Sequence, residues 1–345
     1  MSEQAAIAVR RVGRPSAIRT VEVECNNCGG VRTTRIGSGR DYEYETSDDF
    51  YTVVQCTDCG LVYLNPRPEV SALPLIYPQE YLAYNLSEED ERESDKLACK
   101  LRRRFYTAKV THALGFIAGR DENEPIDFLD VGAGDGRLLN WYRSIPDINI
   151  RTHGVEMNPA AANRLAQRGH NVYTGLFEEA EIPSESFDIV HSSHVIEHVA
   201  DPMRFATKGR DLLRPGGIFL VETPNLDCVG ARLFRRRYWG GYHFPRHWTF
   251  YTPETLTEAL HQAGLKVLEI QFYPNPVFWV WTMHHVLKDN GFPEFVWNQF
   301  PAVDIFKNSF GNVVRLGIFT VLERCLGFVS GGRMGTMQAI AVRSE

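Results

Sequence analysis

The stretch Ile126-Asp-Phe-Leu-Asp-Val-Gly-Ala-Gly-Asp-Gly-Arg-Leu-Leu-Asn-Trp-Tyr142 decides the fold. Ile126 to Val131 reads as a short buried strand, residues 132–136 as a glycine turn, and Arg137 to Tyr142 as the start of a helix. Glycines let such a turn bring its backbone close to a ligand with no side chain in the way. The dinucleotide fingerprint G-x-G-x-x-G would need a third glycine at position 137, where the chain has Arg137, so NAD is disfavoured.

Downstream, a second strand from Ile150 to Val155 ends at Glu156, 20 residues beyond Gly136. An acid at that place can accept hydrogen bonds from both ribose hydroxyls of an adenosine-containing cofactor. Further strands and helices alternate after it, which is the pattern of an α/β, doubly wound, mostly parallel sheet.

Upstream, four of the seven cysteines fall as Cys25-x2-Cys28 and Cys56-x2-Cys59, each pair is followed by glycine, and 27 residues separate the pairs. Two such knuckles joined by a hairpin make a tetrahedral sulfur cage for a structural Zn2+, with no coordination position left for catalysis. A disulfide framework is disfavoured without an export signal, and a redox dithiol needs only one pair. Residues 21–70 are therefore expected to be a zinc ribbon. Tyr42, Tyr44 and the run 51–55 read as its strands, and Leu61 to Leu64 as one more, ended by Asn65-Pro-Arg-Pro68.

With 345 residues, a large domain beside a smaller one is expected. The balance of 37 basic against 43 acidic residues gives a net charge of -6, which argues against nucleic acid as a partner. Residues 1–20 have no continuous apolar run and read as a disordered tail rather than a secretory signal, so a cytoplasmic location is expected. The apolar stretch 313–329 is broken by Arg315, Glu323 and Arg324 and does not read as a membrane span. Residues 71–120 read as a helical linker whose charged segment Ser87 to Lys109 can cover the site.

Leu129-Asp-Val-Gly-Ala-Gly-Asp-Gly136 resembles motif I of the class I S-adenosylmethionine-dependent methyltransferases, and Val155-Glu-Met157 resembles their ribose-binding strand end. In the same order, Ser186-Phe-Asp-Ile-Val190 is similar to the family's fourth strand, His194-Val-Ile-Glu-His198 to the turn after it, and Leu213 to Val221 to its fifth strand. The resemblance implies a Rossmann-like domain over residues 121–345 with a seven-stranded sheet. Residues 337–342 would form its last, antiparallel strand, and 271–335 a helical insertion. It also implies S-adenosylmethionine as cofactor. Asp130, Gly132, Ala133, Gly134 and Gly136 would line its methionine part, Glu156 the ribose, and Met157 one adenine face. Leu176 and Phe177 would offer adenine apolar contact where many relatives carry an acid after the glycine at 175, and Ser193 and His194 would complete the set.

Methyl transfer from a sulfonium is an in-line displacement, so the enzyme aligns nucleophile, methyl and sulfur and can add a base. His198 and His247 are the candidate bases, beside Glu197, because a neutral imidazole accepts a proton near pH 7. Relatives acting on ubiquinone precursors or RNA 3' ends carry Glu-x-x-Glu-His here, a metal motif in which this chain replaces the first glutamate by His194. The departure weighs against a catalytic divalent metal, although histidine and carboxylate can hold one, joined by His243 or His247.

The four-cysteine module and the domain together resemble bacterial methyltransferases suited to glycan, lipid-linked or secondary-metabolite substrates. The expected reaction is methylation of an oxygen on a small-molecule, glycan or lipid-linked acceptor. C-methylation of a nucleotide sugar is the enzymatic rival, and a non-catalytic partner-recruitment module the rival of another class. The aromatic segment Phe272 to Trp281 and the stretch 313–329 suggest an apolar substrate tunnel or a peripheral membrane contact through the insertion.

Overall fold

The fold was analysed in a computed structural model, in which residues 18–78, 81, 97–118, 124–307 and 309–344 are described. The cysteine module contains β1 (Thr20–Val21), β2 (Thr33–Gly39), β3 (Tyr51–Cys56), β4 (Val62–Leu64) and β5 (Arg67–Pro68). A short α1 (Leu73–Ile76) and a long α2 (Leu97–Leu114) follow. The expected tail lies outside the described residues for 1–17, as does the cover segment for 87–96.

In the larger domain, β6 (Ile126–Val131), α3 (Arg137–Arg143), β7 (Ile150–Glu156), α4 (Pro159–Gln167) and β8 (Asn171–Thr174) build one flank. Next come β9 (Phe187–Ser193), α5 (Pro202–Leu212), β10 (Leu213–Pro224), α6 (Val229–Phe234), β11 (Thr249–Phe250), α7 (Pro253–Gln262) and β12 (Leu265–Tyr273). Three helices, α8 (Pro276–Asp289), α9 (Glu294–Trp297) and α10 (Phe310–Val329), precede the last strand, β13 (Thr336–Arg343).

Seven strands form one sheet in the order β12-β13-β10-β9-β6-β7-β8, and only β13 runs against the others. Helices on both faces explain why all six residues of β6 are buried, as a central parallel strand requires. This is the Rossmann-like class I arrangement. The strand order reverses between β6 and β9, so the crevice at their carboxyl ends is the natural ligand site.

Local signals start the helices around that crevice. Asn158 accepts hydrogen bonds from the amides of Ala160 and Ala161 and is followed by Pro159, and Asp201 with Pro202 does the same for α5. Thr252 and Thr255 form a reciprocal capping box at the head of α7.

The ribbon departs from the expected strand pattern. Tyr42 and Tyr44 lie in a loop, because the Asp41 carboxylate accepts hydrogen bonds from the amides of Tyr44 and Thr46 and winds the chain into a turn. The partner of β3 is instead β2, a polar, glycine-containing segment whose sequence has little strand character. The four-stranded sheet β11-β4-β3-β2 takes its last strand from residues 249–250, so hydrogen bonds cross the boundary expected after residue 70.

Candidate active site

At the end of β6 the chain turns through Gly132, Gly134 and Gly136, all with positive φ. A side chain at Gly136 would place its Cβ 2.4 Å from Leu165 Cδ1, so both conformation and space require glycine there. The amides of Gly132 and Ala133 donate to the carbonyl of Val155, which holds the turn against the end of β7.

Glu156 closes β7 with its carboxylate in that turn. One oxygen accepts from the Gly134 amide and the other from the Asn158 amide, each at 2.8 Å. Burial raises its pKa against the lowering effect of these bonds. Each oxygen keeps acceptor capacity for a further hydroxyl.

A cavity of about 290 Å³ opens beside it, lined on the sheet side by Gly132, Glu156, Met157, Leu176 and Phe177. The opposite wall comes from Val70, at the end of the expected ribbon, and from Leu73 and Tyr77 of the expected linker. Their three- and four-residue spacing is an apolar helical stripe, and that was the available signal. Asp130, Ala133, Gly134, Gly136, Ser193 and His194 are not among the lining residues. Asp130 Oδ1 lies 2.7 Å from His191 Nδ1, Ser193 donates to Glu222, and His194 Nδ1 lies 3.0 Å from Glu197 Oε1.

The turn after β9 and the segment His243 to His247 bring the three expected catalytic residues together. Glu197, His198 and His247 each offer a ligand atom, and all of these lie within 4.8 Å of one another. His198 Nδ1 is 3.0 Å from the carbonyl oxygen of Arg246, and His247 Nδ1 is 2.8 Å from that of Gly241. A carbonyl only accepts, so His247 Nδ1 carries the hydrogen and its Nε2, 4.0 Å from Glu197 Oε1, presents a lone pair. His198 Nδ1 also meets the Tyr77 hydroxyl, at 2.9 Å. Burial lowers the pKa of His198 to about 4, with the negative charge of Glu197 opposing the shift and His243 adding to it. Burial and the neighbouring histidines hold His247 well below its ordinary value. Both rings are neutral at pH 7.

His194 behaves differently. Burial disfavours its charge, but the hydrogen bond to Glu197 and the charges of Glu197 and Glu222 prevail and raise its pKa. Its φ of 54° lies in the left-handed region, which a histidine adopts at some cost. Beyond it, Glu222 pairs with the buried Lys109 of α2, whose ammonium lies 4.3 Å from the centre of the Tyr273 ring. This network had no signature in the sequence.

The ribbon loop clamps the histidine segment from behind. Arg246 pairs with Asp41, Glu43 Oε1 lies 3.0 Å from His285 Nε2, and His243 stacks on Trp281 at 4.8 Å. In the ribbon itself, Cys25 Sγ is 3.4 Å from Cys59 Sγ and Cys28 Sγ is 3.6 Å from Cys56 Sγ, with all four sulfurs within 4.8 Å. A zinc ion with ~2.3 Å bonds sets its sulfurs about 3.8 Å apart, so the four thiols fit one.

Comparison with known proteins gives the following findings. A methyltransferase domain model matches residues 101–270. A ubiquinone biosynthesis O-methyltransferase of Cereibacter sphaeroides is 31% identical over 196 residues, covering 50% of this chain and 76% of that protein. The protein of the same name from Dinoroseobacter shibae is 32% identical over 190 residues, with the same coverage of 50% and 76%. Among solved structures, a 1,6-didemethyltoxoflavin-N1-methyltransferase of Burkholderia thailandensis aligns over 84% of this chain and 98% of its own, at 15% identity and a TM-score of 0.45.

Proposed function

Because the chain belongs to the S-adenosylmethionine-dependent methyltransferases, we propose that it methylates an oxygen of a small-molecule, glycan or lipid-linked acceptor. The juxtaposition of the 132–136 turn with Glu156 at the rim of one cavity carries the cofactor part of this reading. The names of the relatives support an oxygen as the acceptor atom.

When bound, the cofactor supplies a methyl group on a positively charged sulfur. Glu156 accepts the ribose hydroxyls, while Met157, Leu176 and Phe177 give the adenine ring apolar contact. Val70, Leu73 and Tyr77 exclude water from the opposite side. The acceptor enters beside His198 and His247.

Two uses of the neutral imidazoles compete. One histidine can take the proton of the acceptor hydroxyl, or Glu197, His198 and His247 together can hold a divalent cation, which would lower the pKa of that hydroxyl. Imidazoles whose basicity is depressed by burial abstract protons poorly but remain neutral ligands, and this favours the cation. The four cysteines hold a structural zinc in the same reading. A cytoplasmic location accords with the free thiols of Cys25, Cys28, Cys56, Cys59, Cys228 and Cys325.

The test is calorimetric titration of the zinc-loaded protein with S-adenosylmethionine and its demethylated product, with NADH as control, followed by a screen of hydroxylated acceptors. Micromolar binding of the first two and methyl transfer to a hydroxyl support the proposal. Binding of neither by the folded protein overturns it.

A further inference from the structure

The helix α10 carries an apolar face that no other described part of the chain covers. Phe310 is 87% exposed, Ile318 60%, Val321 62% and Phe328 90%, and Val313, Val314, Leu322 and Val329 share that side. They recur at three- and four-residue spacing along 20 residues, which amounts to a stripe ~30 Å long. A contiguous patch of this size on a water-facing helix marks a contact surface.

The opposite side of α10 is firmly seated. Phe319 stacks on Trp279 of α8 with the ring planes 8° apart, and the buried Glu323 accepts hydrogen bonds from the amides of Asn275 and Gly335. The outward apolar side chains are therefore a fixed feature of the fold.

Charge decides what covers them. The ionisable residues of α10 are Arg315, Glu323 and Arg324, and the one acid is turned inward. The exposed side thus combines large apolar groups with the cation of Arg324 and no carboxylate of the helix, while the half-buried Arg315 donates to Asn312 and Gln299. A second copy of the same face would offer Arg324 no carboxylate of the helix to pair with. An anionic bilayer surface supplies both partners, acyl chains for the apolar stripe and phosphates for the guanidinium group.

No helix among the described residues is long and apolar enough to cross a membrane. We propose that α10 lies in the plane of an anionic lipid surface and docks the protein there through Phe310, Val314, Ile318, Val321, Phe328 and Arg324. Docking would place the insertion, and with it α8, next to the bilayer. The ring of Phe278 on α8 is 6.4 Å from that of His194, so the acceptor end of the sheet would face the lipid. The inference does not depend on which atom the protein methylates.

Sedimentation of the full-length, zinc-loaded protein with phosphatidylcholine vesicles, with and without phosphatidylglycerol, tests it. Binding is expected only with the anionic lipid. The double variant Ile318→Asp/Phe328→Asp should lower partitioning by more than about 100-fold, and Arg324→Gln by about fivefold, with S-adenosylmethionine binding unchanged as proof of an intact fold. No binding to anionic vesicles, or binding that the double variant leaves intact, overturns the proposal. So does a dimer in analytical ultracentrifugation that the same double variant dissolves, since a second copy would then be the occupant.

Discussion

Asp41 and Arg246 form a two-point ion pair, with contacts of 2.9 and 3.3 Å, in which neither side chain reaches solvent. Asp41 belongs to the ribbon loop. Arg246 lies between His243 and His247, and its carbonyl oxygen orients His198. The four-cysteine module is thereby joined to the segment 243–247 by a buried charge pair, and to the larger domain by the β4–β11 strand pairing.

Removing one partner leaves the other charged and buried. Asp41→Ala should therefore destabilise the protein by about 3–5 kcal/mol, read as a shift in the urea midpoint. The double variant Asp41→Leu/Arg246→Met, which buries no charge, should lose less than Asp41→Ala alone. A loss below about 1 kcal/mol for the single variant would equate the pair with a surface ion pair.

Glu156→Ala removes the carboxylate proposed to accept the ribose hydroxyls. Hydrogen bonds to a charged group contribute about 1.5–3 kcal/mol, so affinity for S-adenosylmethionine should fall roughly 10- to 100-fold. Calorimetry measures the loss, and circular dichroism should show an unchanged fold. Undiminished binding would place the cofactor elsewhere.

Two histidines away from the site make stability pH-dependent. His170, held between Thr152 and Asn140, is lowered to about 4 first by burial and then by the charges of Arg143 and Arg168. His284 is also lowered to about 4, chiefly by burial. The folded values lie below the ordinary 6.5, so the unfolded chain binds more protons in between. Stability should be fully present above about pH 6.5 and fall as pH drops toward 4. Denaturant midpoints from pH 7.5 downward check this, and His170→Gln should flatten the slope.

One zinc per chain is expected, bound by Cys25, Cys28, Cys56 and Cys59. Cys56→Ser should bring the zinc content toward zero and expose residues 21–70 to protease, because the ribbon depends on its metal for structure. Retention of full zinc by this variant would reject the four-cysteine site.

Chelation separates the two uses of the facing histidines. With a cation at Glu197, His198 and His247, Mn2+ should bind the full-length protein and give a paramagnetic signal that Glu197→Gln abolishes while zinc content stays constant. A protein that binds no Mn2+ and transfers methyl groups in chelator would instead use a histidine as the base.

The strand, glycine turn and acid of residues 126–156, and the two Cys-x-x-Cys knuckles, were legible in the sequence because each depends on neighbours a few positions apart. Periodicity, turn stereochemistry and metal-ligand spacing are local properties. The doubly wound order followed from the alternation of strands and helices. Tertiary structure alone decided that Val70, Leu73 and Tyr77 wall the cavity, that Asp41 meets Arg246 across 205 positions, and that His198 and His247, bonded to the carbonyls of Arg246 and Gly241, gather beside Glu197. It also turned Tyr42 and Tyr44 out of the strand that their residue type favours, through the Asp41 carboxylate. These features arise from burial and hydrogen bonding between distant segments, where a charge or tautomer is set by what packs around it and not by its place in the chain.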